Sequence, residues 1–221
     1  MKNISRYIDH TLLKPEATIE QIEKLCQEAI QYRFFSVCIN PGNIKYAKHI
    51  LGTSDVAICT VIGFPLGAST TETKVFETTN ALSLGATEID MVLNIGAVKS
   101  GNWKLVEDDI RAVKNACQEK ILKVIFETCL LTDDEKKMCA QVSERAGADF
   151  IKTSTGFSSG GATIEDVSLM RAAVTSKVQV KASGGVRDLE TALKMIELGA
   201  TRLGTSSGVA IVNGLKSESS Y

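Results

Sequence analysis

Short apolar runs alternate with amphipathic segments along the whole chain. The runs are rich in β-branched residues and alternate apolar with polar positions, which is typical of strands, whereas the intervening segments carry apolar residues at helical spacing. Such runs occur at residues 6–12, 34–40, 56–64, 87–94, 122–128, 149–155, 178–184 and 201–206. The pattern therefore predicts eight strands, each followed by a helix.

The segments between the runs carry explicit signals for where helices begin and end. Thr18 with Gln21 and Thr132 with Glu135 fit the capping box, and Asp188 fits an N-cap. A phrase of glycine, alanine, a polar residue and a strand recurs at residues 83–91, 145–153 and 197–205. Because glycine suits the left-handed position that ends a helix, each phrase predicts a helix-to-strand junction.

The alternation of strands and helices predicts one α/β domain over residues 1–221, folded as a single (β/α)8 TIM barrel. A short mobile tail is expected from about residue 214. An open doubly wound sheet gives a similar pattern and stays an alternative, although the eighth strand favours closure. In a closed barrel of this kind, the active site lies at the carboxyl ends of the strands.

Composition and net charge argue against some classes of function. The chain is 44% hydrophobic and 23% charged, as in ordinary soluble proteins, and its 25 basic and 26 acidic residues give a net charge of -1. No global field would attract nucleic acid or a membrane surface, and no apolar run approaches the ~18 residues that a membrane span needs. We therefore predict a cytoplasmic protein without nucleic-acid or membrane partners.

The cysteines and histidines do not form a recognisable metal motif. The six cysteines are scattered without a C-x-x-C pair, and His10 and His49 are isolated. We interpret the cysteines as small core residues in a reducing compartment. A metal site made of several side-chain nitrogen or sulfur ligands is not expected.

Strand alternation places charged residues inside the predicted barrel. If the apolar positions of four successive strands face the helices, their alternate positions face the barrel axis. The inward set is Asp90, Val92, Asn94, Lys123, Ile125, Glu127, Lys152, Ser154, Gln179, Lys181 and Ser183. Barrel interiors usually contain Val, Ile and Leu, and charges are seldom buried unless paired. We therefore predict a reactive centre inside the barrel. The alternative is a cluster of mutually paired charges that takes no part in a reaction.

Two of these lysines suggest carbonyl chemistry. An amine attacks a carbonyl carbon only when neutral, and the ordinary lysine pKa of about 10.4 disfavours that form at pH 7. Desolvation or a nearby cation favours the neutral form. Lys152 and Lys181 lie at similar heights on consecutive strands, so the pair suits the formation of a Schiff base, with Asp90 as a candidate acid and base.

Glycine-rich loops after the last strands suggest a phosphate site. Backbone N–H groups in such loops, at helix N-termini, commonly bind phosphate in barrels. The candidate loop residues are Gly184, Gly185, Gly204, Thr205, Ser206, Ser207 and Gly208, with Thr155, Gly156 and residues 158–161 as further donors.

Several stretches together resemble the deoxyribose-phosphate aldolase family. They are residues 8–15, 88–96, 122–128, 150–157, 180–188 and 202–208, and their order and spacing cover the chain from Ile8 to about Val212. The paired phrases K-T-S-T-G and K-A-S-G-G are specific to this resemblance. It implies reversible cleavage of 2-deoxy-D-ribose 5-phosphate to D-glyceraldehyde 3-phosphate and acetaldehyde. Phosphosugar and aldehyde substrates are then expected, without a metal ion or organic cofactor.

The resemblance also implies roles for individual residues. Lys152 would form the Schiff base, while Lys181 would perturb it and join Asp90 in moving protons. Phe157 stands where some members carry a lysine, which puts a basic phosphate contact from that position in doubt. Phosphate contacts are expected at Gly156, Gly184, Gly185, Ser206 and Ser207, and substrate-side positions at Asp9 and Cys38.

The last residue adds a hypothesis. The family often ends in a tyrosine on a mobile tail, so Tyr221 is expected to assist proton transfer at the methyl carbon of the enamine. The alternative is a solvated terminus without a role in the reaction.

Other functions fit part of the pattern. Another Schiff-base aldolase, or a phosphosugar isomerase or synthase, would keep the phosphate loops and take a different carbonyl substrate. A non-catalytic phosphosugar-binding protein would need no paired lysines, which argues against that class. Exposed helix faces allow a homodimer, but the sequence does not decide the oligomeric state.

Overall fold

Eight parallel strands close into a barrel in the computed structural model, which describes residues 4–217. Each strand pairs with the next, and the first pairs with the last. The predicted (β/α)8 barrel is confirmed, and the open sheet is wrong because the edges are joined. The strands are β1 (Ile8–Leu12), β2 (Ser36–Ile39), β3 (Ala57–Ile62), β4 (Glu88–Val92), β5 (Ile121–Ile125), β6 (Phe150–Lys152), β7 (Gln179–Ser183) and β8 (Ala200–Thr205).

Helices connect the strands and cover the outside of the barrel. Three 3₁₀ turns, Ile4–Tyr7, Pro41–Asn43 and Thr128–Leu130, supplement them among the described residues. The α-helices are α1 (Ile19–Tyr32), α2 (Ile44–Leu51), α3 (Thr71–Leu84), α4 (Ile95–Lys99), α5 (Trp103–Cys117), α6 (Asp133–Arg145), α7 (Ile164–Ala172), α8 (Leu189–Glu197) and α9 (Gly208–Val212).

The helix signals in the sequence operate as predicted. Both capping boxes form, at Thr18 before α1 and at Thr132 before α6. The Asp188 carboxylate accepts the Thr191 N–H at 2.8 Å and caps α8. The recurring glycines lie at helix ends with positive φ angles, at Gly85, Gly147 and Gly199.

The strands are shorter than the apolar runs that predicted them. β6 ends at Lys152 rather than at residue 155, and the first run begins with a 3₁₀ turn, so that β1 starts only at Ile8. Beyond β6, the Thr153 hydroxyl donates to the Ser183 carbonyl at 3.0 Å. Backbone hydrogen bonds also continue at Thr153, whose N–H donates to the Lys181 carbonyl at 3.2 Å.

The predicted strand phase is confirmed for the apolar positions. Ile89, Met91, Leu93, Leu122, Val124, Phe126, Ile151, Val178 and Val180 are buried in the main core cluster. A separate small cluster contains Leu13, Cys38, Cys59 and Val61. Gln179, predicted to face inward, is instead exposed, because it is the first residue of β7, and it accepts a hydrogen bond from Thr201.

The expectation for one cysteine is wrong, and the predicted tail is described in part. Cys129 is exposed in the Thr128–Leu130 turn, so it is not the core residue that the sequence suggested; the other cysteines are buried. The predicted tail from about residue 214 is hydrogen-bonded as far as Ser217, whose N–H donates to the Arg187 carbonyl at 3.1 Å. Tyr221 lies outside the described residues. Among those residues, no helix is both long and apolar enough to cross a membrane.

A buried ion pair that the sequence did not indicate ties two helices to the barrel. Lys74 of α3 is fully buried, and its Nζ atom lies 2.6 Å from Asp109 Oδ2 on α5. The same ammonium donates to the Val92 carbonyl at the end of β4, at 3.1 Å. Thr71 donates to the other Asp109 oxygen at 2.9 Å. The pair is therefore saturated by partners on both sides.

We expect Lys74→Ala to lower the free energy of unfolding by about 3–5 kcal/mol, because it leaves Asp109 charged, buried and without its ammonium. The exposed pair of Lys104 and Asp108 provides the control, since Lys104→Ala should cost about 1 kcal/mol or less. Urea unfolding of the two variants measures both values. A loss for Lys74→Ala no greater than for Lys104→Ala would contradict a structural role for the buried pair.

Candidate active site

Seven charged side chains meet inside the described part of the barrel. They alternate with the outward apolar residues of their strands, and each is at most 4% exposed. The group contains three acids and four bases, which are Asp9, Glu88, Asp90, Lys123, Lys152, Lys181 and Arg202. Four of the predicted interior charges, Asp90, Lys123, Lys152 and Lys181, are thus present, and the cluster extends to β1 and β8.

Asp90 is the centre of this cluster. Its Oδ2 atom lies 2.8 Å from the Nζ atoms of both Lys152 and Lys181. Its Oδ1 atom accepts from Lys123 at 2.8 Å and from the Cys59 thiol at 3.1 Å. Burial by itself would raise the pKa of Asp90, but the three ammonium groups hold it well below its ordinary value. Asp90 is therefore ionised and held by four donors.

A second layer of ion pairs surrounds Asp90. Lys181 Nζ lies 2.5 Å from Asp9 Oδ2, and Arg202 contacts Asp9 at 2.8 Å and Glu88 at 3.0 Å. Lys123 also reaches Glu88 at 2.6 Å. Burial lowers the pKa of Lys181, but Asp9 and Asp90 outweigh it and raise that pKa above the ordinary lysine value. Lys181 is thus a cation in the resting cluster.

The charges in this described cluster do not cancel. Four bases face three acids, which leaves a surplus of one positive charge when all are ionised. Lys123, Lys181 and Arg202 each contact at least two of the described carboxylates, whereas Lys152 contacts Asp90 alone. Lys152 is therefore the base with the least compensation.

Strand register explains why the two predicted lysines meet. Lys152 and Lys181 are directly paired positions of β6 and β7. Glu127, also predicted to point at the axis, does not join the lysines. It follows the end of β5 in the left-handed conformation, and its carboxylate binds the N–H and the hydroxyl of Thr155. The strand alternation that placed it inward no longer holds there.

A pocket opens above the cluster, and Lys152 forms part of its wall. The wall also contains most of the residues expected to bind substrate, namely Thr155, Gly156, Gly184, Gly185, Gly204 and Ser206. The structure therefore brings the lysine and the glycine loops to one cavity, as a substrate with a carbonyl and an anionic end would require.

Three of the predicted substrate residues lie elsewhere. Asp9 and Cys38 are fully buried within the barrel. Ser207 is also buried; its N–H donates to the Thr205 hydroxyl at 2.9 Å, and its own hydroxyl has no partner among the described residues. These positions support the pocket rather than line it.

Gly204 is required by close packing beside the lysines. A Cβ atom there would lie 2.5 Å from Ser183 Oγ and 3.0 Å from Lys181 Cε. A side chain at this position would therefore displace Lys181 from its place between Asp9 and Asp90.

Sequence analysis missed some residues of the site. An adjoining groove shares Gly156, Gly184 and Gly185 with the pocket and includes Arg187, whose buried Nε atom has no partner among the described residues. Arg187 follows the paired glycines closely in the sequence, and this position was the signal that could have identified it as a site residue. Cys59 and Arg202 were missed because inward phasing was applied to four strands only. Glu88 was missed because the inward set on β4 was started at Asp90, although Glu88 has the same phase.

Known proteins that are similar to this chain in sequence and structure are named as deoxyribose-phosphate aldolases. A Brevibacillus brevis protein named deoxyribose-phosphate aldolase is 61% identical over 218 residues, which cover 99% of each chain. A Coccidioides immitis structure assigned as a deoxyribose-phosphate aldolase aligns with a TM-score of 0.94 and 46% identity, covering 96% of this chain and 85% of that one. A deoxyribose phosphate aldolase from Aeropyrum pernix, described as a unique tetramer, aligns with a TM-score of 0.85 and 34% identity, covering 95% and 89%.

A protein-family model also matches almost the whole chain. The model of the DeoC/LacD family aldolases matches residues 4–214. This range includes all eight strands, the charged cluster and the glycine loops. A lysine-centred pocket at the carboxyl ends of the strands, together with this match, places the chain in the DeoC/LacD family of aldolases.

Proposed function

We propose that the chain cleaves 2-deoxy-D-ribose 5-phosphate reversibly to D-glyceraldehyde 3-phosphate and acetaldehyde, through a Schiff base on Lys152. One observation carries the proposal: Lys152 lies between a carboxylate and a glycine-lined pocket, with a second lysine on the same carboxylate oxygen. The names of the similar proteins support this choice of substrate. A protein that only bound phosphosugars would need no such pair of lysines.

The charge surplus supports Lys152 as the nucleophile. One base must lose its proton for the described cluster to become neutral, and Lys152 has one carboxylate contact where the other bases have at least two. The cationic Lys181 beside it disfavours a second positive charge. These contacts support Lys152 as the proposed nucleophile.

The proposed reaction passes through an imine and an enamine on Lys152. The Lys152 amine attacks the aldehyde carbon C1 of the open-chain sugar, and loss of water gives a protonated imine. Removal of the C3 hydroxyl proton breaks the C2–C3 bond, and the electron pair moves into the imine to form an enamine. D-Glyceraldehyde 3-phosphate leaves, C2 of the enamine takes up a proton, and hydrolysis releases acetaldehyde. The imine serves as the electron sink, so these steps need no metal ion or cofactor.

Asp90 and Lys181 are the proposed proton carriers. Asp90 Oδ2 contacts both lysine nitrogens at 2.8 Å, so a proton can pass between the reacting centre and the cluster without large movement. Asp9 holds Lys181 from the other side at 2.5 Å. Cys38 stays a predicted substrate-side residue, and Tyr221, outside the described residues, stays a predicted aid to proton transfer.

The phosphate is proposed to lie at the glycine loops. Gly156, Gly184, Gly185 and Ser206 line the pocket that contains Lys152, so a phosphosugar can span from the amine to these backbone groups. Arg187 lies along the adjoining groove and offers a cation, although Phe157 occupies the position that carries a lysine in some members. Gly204 and Ser207 are proposed to shape the same loop.

The assembly and the location of the protein stay predictions. The relative from Aeropyrum pernix is described as a tetramer, which supports an oligomer but not the predicted homodimer. A net charge of -1 supports a cytoplasmic enzyme that does not bind nucleic acid or membranes.

We expect borohydride reduction in the presence of acetaldehyde to attach an ethyl group to the peptide that contains Lys152. Lys152→Ala should abolish the adduct and the activity, because it removes the only group that forms the imine in this mechanism. Lys137→Ala, on an exposed position of α6, is the control and should keep both. Mass spectrometry of the digested protein locates the adduct. An active enzyme without an adduct at Lys152 would contradict the proposal.

Replacing Lys181 by Met should reduce kcat about a hundredfold or more, since a proton carrier is lost. It should also move the rise of kcat/KM with pH to higher pH, because Asp9 and Asp90 then stabilise the protonated amine without a competing cation. The pH profile of the variant is compared with that of Lys194→Met, an exposed lysine of α8. An unmoved profile would exclude Lys181 as the perturbing charge.

Arg187→Met should raise KM for 2-deoxy-D-ribose 5-phosphate by about tenfold or more, as expected for loss of a charged hydrogen-bond donor. Cleavage of unphosphorylated 2-deoxy-D-ribose should hardly change, because that substrate has no anion to contact. Steady-state kinetics with both sugars separates these effects. Equal losses for the two substrates would show that Arg187 acts on the pocket shape and not on the phosphate.

A further inference from the structure

We infer that Cys59 is a positioning residue for the reaction: its thiol holds Oδ1 of Asp90 so that Oδ2 stays between Lys152 and Lys181. The inference rests on the proposed function, in which Asp90 moves protons. It assigns a role to a buried thiol that the sequence suggested was ordinary core.

The geometry around Asp90 Oδ1 carries this inference. Cys59 lies on β3, opposite Glu88 of β4, and its Sγ atom is 3.1 Å from Asp90 Oδ1. Lys123 approaches the same oxygen at 2.8 Å and the Cys59 sulfur at 3.3 Å. One carboxylate oxygen is thus held by a thiol and an ammonium, while the other faces the two lysines on β6 and β7.

The chemical state of Cys59 fits the role of a donor. Burial, the contact with Cys38 and the nearby charge of Asp90 raise the pKa of Cys59 well above the ordinary thiol value, so the thiol keeps its proton. An ionised carboxylate is a stronger acceptor than a neutral sulfur, which directs the thiol hydrogen to Asp90.

The same atoms do not favour a metal site. The sulfur atoms of Cys38 and Cys59 and an Asp90 oxygen lie within 4.8 Å of one another. However, Asp90 already contacts three ammonium groups in a cluster that has a surplus of positive charge. A metal cation would have to displace these partners.

A positioned carboxylate matters because Lys152 changes during turnover. Lys152 is one of the donors on Asp90 Oδ2. Because its amine becomes an imine and then an enamine during the proposed reaction, this contact changes. Lys123 alone is a poor anchor, since it is shared with Glu88 at 2.6 Å. Cys59 supplies a second fixed donor on Oδ1, which keeps the carboxylate from rotating.

Two substitutions separate hydrogen bonding from packing. Cys59→Val keeps most of the volume and removes the donor, whereas Cys59→Ser keeps a donor on a shorter bond. Cys139→Ala, in the buried face of α6 away from the cluster, is the matched control. Urea unfolding shows that each variant is folded under the assay conditions. Should Cys59→Val not fold, Cys59→Ala takes its place as the variant that lacks the donor.

We measure the exchange of solvent deuterium into the methyl group of acetaldehyde, and the yield of the borohydride-trapped Lys152 adduct. Cys59→Val should slow exchange by about tenfold or more, the equivalent of one hydrogen bond to a charged group, and keep the adduct yield. Cys59→Ser should recover most of the exchange rate, and Cys139→Ala should behave as the unaltered enzyme.

Two outcomes would overturn the inference. One is an exchange rate in Cys59→Val equal to that of Cys139→Ala; the other is a loss in Cys59→Ser as large as that in Cys59→Val, which would indicate packing alone. Failure of the proposed function is distinguishable, because the unaltered enzyme would then form no adduct and catalyse no exchange.

Discussion

The carboxylate of Asp90 organises the interior of the barrel, because donors from β3, β5, β6 and β7 meet on its two oxygens. A buried carboxylate is unfavourable unless it is compensated, and here the compensation comes from side chains far apart in the sequence. Closure of the barrel extends the network, since Asp9 of β1 pairs with Arg202 of β8 at 2.8 Å. The site and the closed sheet therefore depend on each other.

Two buried groups of charges differ in how completely their bases are paired with acids. Lys74 and Asp109 form a saturated buried pair in which one basic side chain meets one acidic side chain. The active-site cluster contains one more base than acids among its described members, and Lys152 has the fewest carboxylate contacts. The same residue types thus form a saturated ion pair in one place and, in the other, the cluster that contains the proposed nucleophile.

Among the lysines of the described cluster, Lys152 alone lines the pocket. Lys152 reaches the wall of the cavity, while Lys123 and Lys181 stay below it in contact with carboxylates. The glycine loops after β7 and β8 border the same cavity, so the electrophile and the anionic group of a phosphosugar can be bound together. Gly204 of β8 leaves room for Lys181, whose Cε atom would lie 3.0 Å from a Cβ atom at this position.

The sequence by itself determined the strand and helix order, the helix caps, the inward lysines on β5 to β7 and the glycine loops, because periodicity and turn chemistry are local properties. It could not determine that Glu127 turns away to Thr155, that Arg187 borders the groove, or that Cys59 contacts Asp90. Only the tertiary structure decided these contacts and the surplus charge around Lys152. They depend on register and distances between strands that closure brings together, and no local pattern encodes such distances.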